Sequence, residues 1–487
     1  MKKAWYLYLV DDFVYIYLFT LISFGTALPM FYKLADPVMP LFLVWGLLIL
    51  GYKVLIQRKP IFGEHLLLGL FLLSYLVTMI LHRENFVDNL KTLLWTACFF
   101  YIFLDVFPKD QPLENRNRFH KWTDLVFVIT FAAGILSCCM YLTQYLHYVD
   151  MPYNPQQPQG LWGNRLVGVY REANFGAMFG MISMGLSIFN LCSGQRWKKW
   201  HITNLVVQFF FVIWTLSRGA LVTMCVFVAF LVFFYVYLKG LSIWKSAGLV
   251  IVAVGLYLVC YWGIPQITGY IPPYLNKKIE QFVIINDSHR SPHFTDEVRE
   301  EHNKVDPDRE YDKGFSDVIQ GENNAEDEDF LKDISTGRLA VWKDAVLTWS
   351  RYPLFGVGFR NITHYAKLVR PNGMLARSYS MHNAFLRVLL SCGLVGFLLF
   401  MAWGAVVLFR HLALLRIKQP PSTLSYGGYV ALFAVILTIL VACCFLDALF
   451  LYTSAESVLF WVLIGYFYSL LPTSNKEEKG LGKYHWI

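Results

Sequence analysis

The sequence predicts an all-α, polytopic membrane protein with about twelve spanning helices and one large loop on a single side of the bilayer. Three observations carry this. Hydrophobic residues make up 56% of the 487 positions and charged residues only 16%, where a soluble domain carries about 25% charged. The mean hydropathy is +0.45. The apolar residues are also gathered into continuous runs of about 16 to 25, the length that crosses hydrocarbon as a helix. In lipid every backbone polar group needs an internal partner, which leaves helices or a closed barrel. The period-two alternation of barrel strands is missing.

The runs place helices at about 12–32, 38–56, 65–82, 90–107, 123–147, 173–193, 201–217, 220–238, 246–263, 383–409, 425–447 and 456–471. The narrowest break is Thr215-Leu216-Ser217-Arg218-Gly219, inside an otherwise continuous apolar stretch. The chain divides into nine helices over 1–263, a loop over 264–382, three helices over 383–471 and a tail over 472–487. The first run follows Met1-Lys2-Lys3 without a small-residue cleavage site, so it reads as a retained helix. The nine cysteines lie in or beside apolar runs, which suits small core residues and not a disulfide framework.

Charge sets the expected orientation. Lys2, Lys3, Arg58, Lys59, Lys109, Arg116, Arg118, Lys121, Arg196, Lys198, Lys199, Lys239, Lys245, Arg410, Arg416, Lys418, Lys476, Lys479 and Lys483 fall on one side. The opposite short loops hold only Lys33, Arg83, Lys91, Arg165, Arg171 and Arg218. Basic residues favour the cytoplasmic side, so both termini are expected inside and the 264–382 loop outside. Topology thus accounts for the net charge of +8 without a nucleic-acid partner. Within the loop, residues 286–335 are acidic and poor in aromatics, the composition of a solvated, flexible insertion. Its histidines, His289, His293 and His302, are too irregularly spaced to predict a metal site. Order returns at Arg338–Leu347 with helical spacing, Pro353 ends that helix, and Gly356-Val357-Gly358 makes a turn.

The candidate functional residues are basic and sit on the predicted outer side. Arg218 lies between two apolar helices, where a charge costs a few kcal/mol. It reads as functional against the simpler alternative of a snorkelling arginine. Arg165 and Arg171 precede the sixth helix; guanidinium suits phosphate or carboxylate, but an Arg171–Glu172 surface pair is an equal alternative. Residues 336–382 hold Arg338, Lys343, Arg351, Arg360, Lys367, Arg370 and Arg377 against one acid, Asp344. That patch fits anionic headgroups or a lipid diphosphate. His382, followed by Asn383, opens the tenth helix and is placed to act as a general base, although a lone interfacial histidine is commoner. Glu172 and Glu456 compete for the base role and rank below it.

Four segments in order carry a resemblance: LSRGAL at 216–221, TGRLAVWKDAV at 336–346, PLFGVGFRN at 353–361 and HNAFLRVLLSCGLVG at 382–396. Together, with His382, Asn383, Gly393 and Gly396 spaced as in its pattern, they resemble the O-antigen ligase and polysaccharide polymerase superfamily of bacterial membrane glycosyltransferases. The likeness covers roughly residues 160–400; the first five helices match only in being hydrophobic. It implies a C-type glycosyltransferase architecture in the bacterial cytoplasmic membrane, with its active site on the extracytoplasmic face. It implies inverting transfer of a glycan from undecaprenyl diphosphate to a sugar hydroxyl, with no metal and no cofactor. Arg218 and Arg338 would hold the diphosphate, and His382 would activate or orient the acceptor. Arg165 and Arg171 match a basic loop less tightly, and Arg360 and Asn383 are further substrate contacts. Polymerisation of lipid-linked repeat units, in capsule or exopolysaccharide synthesis, is the first expectation. Ligation to a terminal envelope acceptor is the second, and a lipid-linked glycan transporter is the alternative of another class. A structural membrane component would leave Arg218 and His382 unexplained.

Overall fold

The computed structural model describes residues 5–25, 35–58, 65–151, 154–162, 165–194, 197–271, 338–377, 380–416, 424–447, 449, 451 and 454–471. The expectations for 286–335, and for the start of the ordered segment at 336–337, lie outside them. The helices are α1 (Trp5–Phe24), α2 (Ala35–Gly51), α3 (Leu66–Leu81), α4 (Phe86–Cys98), α5 (Pro112–Leu142), α6 (Ala173–Cys192), α7 (Lys198–Trp214), α8 (Arg218–Leu238) and α9 (Ile243–Thr268). They continue with α10 (Arg338–Arg351), α11 (Ile362–Val369), α12 (Met374–Arg377), α13 (Ala384–Arg416), α14 (Tyr426–Ala442) and α15 (Ala455–Ser469). Seven of the described helices are long and apolar enough to cross a membrane, and three shorter apolar ones, α3, α14 and α15, accompany them.

α6 packs against both α14 and α7, α5 packs against α6 and α7, α8 packs against α14, and α9 packs against α8 and α7. The contact between α6 and α14 is close because small residues line it: a Cβ on Gly185 would stand 2.1 Å from Val435. At the amino-terminal end, the rings of Phe13, Tyr17, Phe42, Trp95 and Phe103 pack together from α1, α2, α4 and the helical turn that follows α4.

Several boundaries differ from the sequence reading. The first helix begins earlier than 12, because Asp11 is not a solvated end; its carboxylate lies 3.4 Å from Nε of Arg118. The fifth helix begins at Pro112, a residue suited to a first helical turn, and so includes Arg116, Arg118 and Lys121. It stops at Leu142, so Gln144, with φ of 51°, lies beyond the helix. The ninth helix runs on through Pro265 to Thr268, since a helical proline is tolerated where neighbours satisfy the freed carbonyl.

The all-α expectation also omits a three-stranded antiparallel sheet, ordered β1 (Leu146–Met151), β2 (Asn154–Trp162) and β3 (Arg165–Gly168). β2 reads Asn-Pro-Gln-Gln-Pro-Gln-Gly-Leu-Trp, with no apolar alternation that a periodicity search detects. β3 packs on α5, α6 and α7, where the amide of Val169 donates to Oγ of Ser137 at 3.1 Å.

The Gly-Val-Gly turn explains two sequence motifs at once. It inserts into a break in α13 at Gly393, whose φ of 66° leaves the helical region. Val357 and Gly358 donate to the carbonyls of Leu390 and Ser391 at 2.9 Å each, and Leu394 donates to Pro353 at 2.8 Å. A Cβ on Gly393 would stand 2.2 Å from the Leu354 oxygen, and one on Gly356 2.4 Å from the Leu390 oxygen. Only glycine admits that backbone approach, and it anchors the segment between α10 and α13 to the membrane helices.

Candidate active site

The break between α7 and α8 is a tight turn with Leu216 at φ 47°. Ser217 caps α8 by accepting from the Ala220 amide at 3.1 Å. Arg218 is therefore the first residue of α8, where a cation opposes the helix dipole. The arrangement suits an anion, which gains from both the helix end and the guanidinium. Arg165, on β3, reaches the same turn: Nε donates to the Thr215 carbonyl at 3.1 Å and Nη2 to Oδ1 of Asn174 at 3.4 Å. Asn174 also accepts from the Ser217 hydroxyl at 2.7 Å. The sheet thus fastens Arg165 beside Arg218.

Arg338 opens α10. Burial pushes its ionisation below the ordinary arginine value, Arg165 and Arg218 add to that, and Glu172 and Asp447 oppose it. Arg165 is lowered first by burial as well, with Arg218 contributing. Arginine's intrinsic value is so high that both stay charged. Three guanidiniums, from β3, α8 and α10, are thus electrostatic neighbours, with the carboxylate of Glu172 at the start of α6 acting on Arg165 and Arg338 and that of Asp447 acting on Arg338.

His382 has Arg338 and Glu172 among its electrostatic neighbours and a φ of 49°, a left-handed conformation costly for a non-glycine residue. It is clamped from both sides. The Trp342 indole donates to the Met381 carbonyl at 2.9 Å, and the Asn383 amide donates to Oδ1 of Asp447 at 3.1 Å. Asp447 also accepts from the Ser380 hydroxyl at 2.6 Å and from the guanidinium of Arg387. Burial is the largest influence on the imidazole and lowers its basicity; Asp447 and Glu172 pull it up, and Arg338 and Arg387 push it down. The net direction is downward, so the ring is neutral near pH 7 and able to accept a proton.

The other candidates occupy distinct places. The Asn383 side chain caps α13, accepting from the Leu386 amide at 3.0 Å. Arg360 is exposed on the loop before α11, its amide held by Asn89 at 3.0 Å and its guanidinium over the Phe359 ring. Arg171 is fixed through its backbone, with its amide 3.3 Å from the Gly25 carbonyl and its carbonyl accepting from Gln157. Of the remaining basic patch, Arg370 pairs at 2.9 Å with Asp344, which is buried and also holds the Leu375 amide. Glu456 is buried in the first turn of α15, at 2% exposure.

Asp447 escaped the sequence reading. It follows the apolar run of α14 without a motif around it, and only the fold brings it to His382. Among the described residues, no three His, Cys, Asp or Glu side chains gather as a metal site.

Residues 203–401 match the family model described as O-Antigen ligase. No curated protein matches the chain. The family span contains Arg218, Arg338, Arg360, His382, Asn383 and the glycines of the α13 break; Arg165, Arg171 and Asp447 lie outside it. The resemblance to the O-antigen ligase and polymerase superfamily therefore stands over that span, and with the apolar helices it supports a membrane glycosyltransferase of the ligase or polymerase type.

Proposed function

We propose that this protein transfers a glycan from undecaprenyl diphosphate to a sugar hydroxyl on the outer face of the bacterial cytoplasmic membrane, polymerising repeat units of a surface polysaccharide. The observation that carries the reading is that Arg338 has Arg165 and Arg218 as electrostatic neighbours and shares Glu172 and Asp447 with His382, whose following peptide amide is held by Asp447. In this reading the chain crosses the membrane about twelve times with both termini inside.

The chemistry follows from the charges. The acceptor oxygen attacks the anomeric carbon as the bond to the diphosphate oxygen breaks, inverting that carbon. Negative charge grows on the leaving diphosphate, and Arg218 and Arg338 stabilise it in a site that partly excludes water. His382 takes the acceptor proton, and Asp447 and Glu172 favour the imidazolium that forms. We read the step as metal-independent because guanidiniums supply the positive charge at the leaving group. Transfer to a terminal envelope acceptor is the second reading, favoured by the family description itself.

The test uses purified protein reconstituted with undecaprenyl-diphosphate oligosaccharide. Longer glycan chains and released undecaprenyl diphosphate are expected, and both fall sharply in His382→Ala and Arg338→Ala. Release at the wild-type rate in those variants overturns the site. Donor translocation across vesicles without turnover favours the transporter instead.

A further inference from the structure

Trp162 ends β2 and pairs directly with Arg165 across the β2–β3 ladder. Side chains of directly opposed residues share a face and lie close together. The Arg165 guanidinium is committed to the α7–α8 turn, so the Trp162 indole stands at the rim of the arginine cluster. It is 47% exposed, a large apolar surface beside a cationic pocket.

The usual reason for an exposed tryptophan in a membrane protein is the headgroup belt. Trp197, Trp200, Trp244 and Trp262 suit that role, being exposed on or at the ends of apolar helices. Trp162 has different surroundings. Its strand is rich in proline and glutamine, and glutamine side chains need hydrogen-bond partners that hydrocarbon does not offer, at a cost of several kcal/mol each. The hairpin therefore belongs to the aqueous side of the boundary. It carries a second exposed aromatic, Tyr148, opposite Pro158.

We propose that Trp162 is a saccharide-stacking residue, binding the apolar face of a sugar ring held at the arginine pocket, with Tyr148 extending the platform along the hairpin. An indole presents a flat apolar surface that covers the C–H face of a pyranose, while the ring hydroxyls remain in water. This rests on the proposed function for the presence of glycan substrates; the platform itself binds saccharide whether or not transfer occurs.

The experiment separates the two. The probe is lipid-free repeat-unit oligosaccharide, prepared by mild hydrolysis of the polysaccharide from cells that express the protein. Its binding to the full chain in nanodiscs is measured by calorimetry for wild type, Trp162→Ala and Trp162→Phe. The expected result is about ten-fold weaker binding in Trp162→Ala, partial recovery in Trp162→Phe, and unchanged binding of undecaprenyl diphosphate. Kinetics then assigns the sugar: a higher KM for donor alone places a donor ring on Trp162, and a higher KM for acceptor alone places an acceptor ring there. Equal oligosaccharide binding by wild type and Trp162→Ala overturns the platform and leaves the transferase reading intact. So does loss, in Trp162→Phe, of fluorescence that brominated lipid quenches, which assigns Trp162 to the membrane interface. Weakened oligosaccharide binding with no transfer in any assay upholds the platform and overturns the transferase.

Discussion

Midway along α5, α6 and α7, Thr130 donates to the Ser183 hydroxyl at 2.7 Å, Asn204 donates to Ser183 and Ser187 at 2.9 Å each, and Gln208 donates to the Thr130 carbonyl at 2.7 Å. At the candidate pocket, Arg338 is charged against the influence of burial and of its neighbours Arg165 and Arg218, and Arg165 against burial and Arg218. Both regions are polar groups inside an apolar protein, yet their logic is opposite. The ladder is neutral and its donors find acceptors on adjacent helices, which makes it a fastening between them. The pocket gathers three guanidiniums around the two carboxylates Glu172 and Asp447, an excess of positive charge. A neutral polar set whose donors are paired across helices serves the fold, whereas one that concentrates like charge is prepared for a ligand of the opposite sign. This also bears on the transporter alternative. The polar side chains of the ladder are tied to one another across buried contacts, which leaves them in a fastening role.

The comparison breaks first at the pocket. Arg338→Ala and His382→Ala each lower the transfer rate by about 100-fold to 1,000-fold while thermal unfolding in detergent stays near wild type. Near-normal rates would move the pocket into the structural class with the ladder. A substitution at the anchor between the two regions has its effect on stability. Gly393→Ala forces a side chain into a positive-φ position against the Leu354 carbonyl and costs about 3 kcal/mol, read as a lower unfolding temperature.

The pH profile sharpens the role of His382. Because its folded-state basicity is lowered, the neutral base persists below the ordinary imidazole value of about 6.5. The kcat/KM profile should be flat above that value and fall only as pH drops through the lowered one. Asp447→Asn removes an influence that raises it, so the acidic limb should move to lower pH with a smaller maximum rate. The smallest effect is expected in the ladder. Asn204→Leu should cost about 0.6 to 2 kcal/mol of stability with transfer kinetics unchanged in protein that folds. A large rate loss there would show that the ladder serves the chemistry after all.

Much of the site was legible in the chain because its residues violate local rules. Arg218 interrupts an apolar run, Arg338 opens a helical pattern, and His382 starts another; each is conspicuous against its own neighbours. Asp447 and Trp162 are ordinary where they stand, and only pairing across the fold gives them a role. The same holds for the sheet, whose strands lack periodicity because Pro and Gln dominate β2. Arg165 and Asn383 show the intermediate case: their types suggested ligand contacts, while the structure ties Arg165 to the Thr215 carbonyl and uses Asn383 as a helix cap.

By itself the sequence determined the polytopic, helical class and the positions of most apolar helices, because hydrophobic length is a local quantity that lipid reads directly. It also marked the glycines of the Gly356–Gly358 turn and Gly393. The tertiary structure alone decided why those glycines are needed, which arginines meet, that Asp447 clamps the backbone of His382, and that a sheet supports the pocket. Each of these depends on contacts between segments far apart in the chain, and side-chain type carries no information about such a partner until the helices have packed.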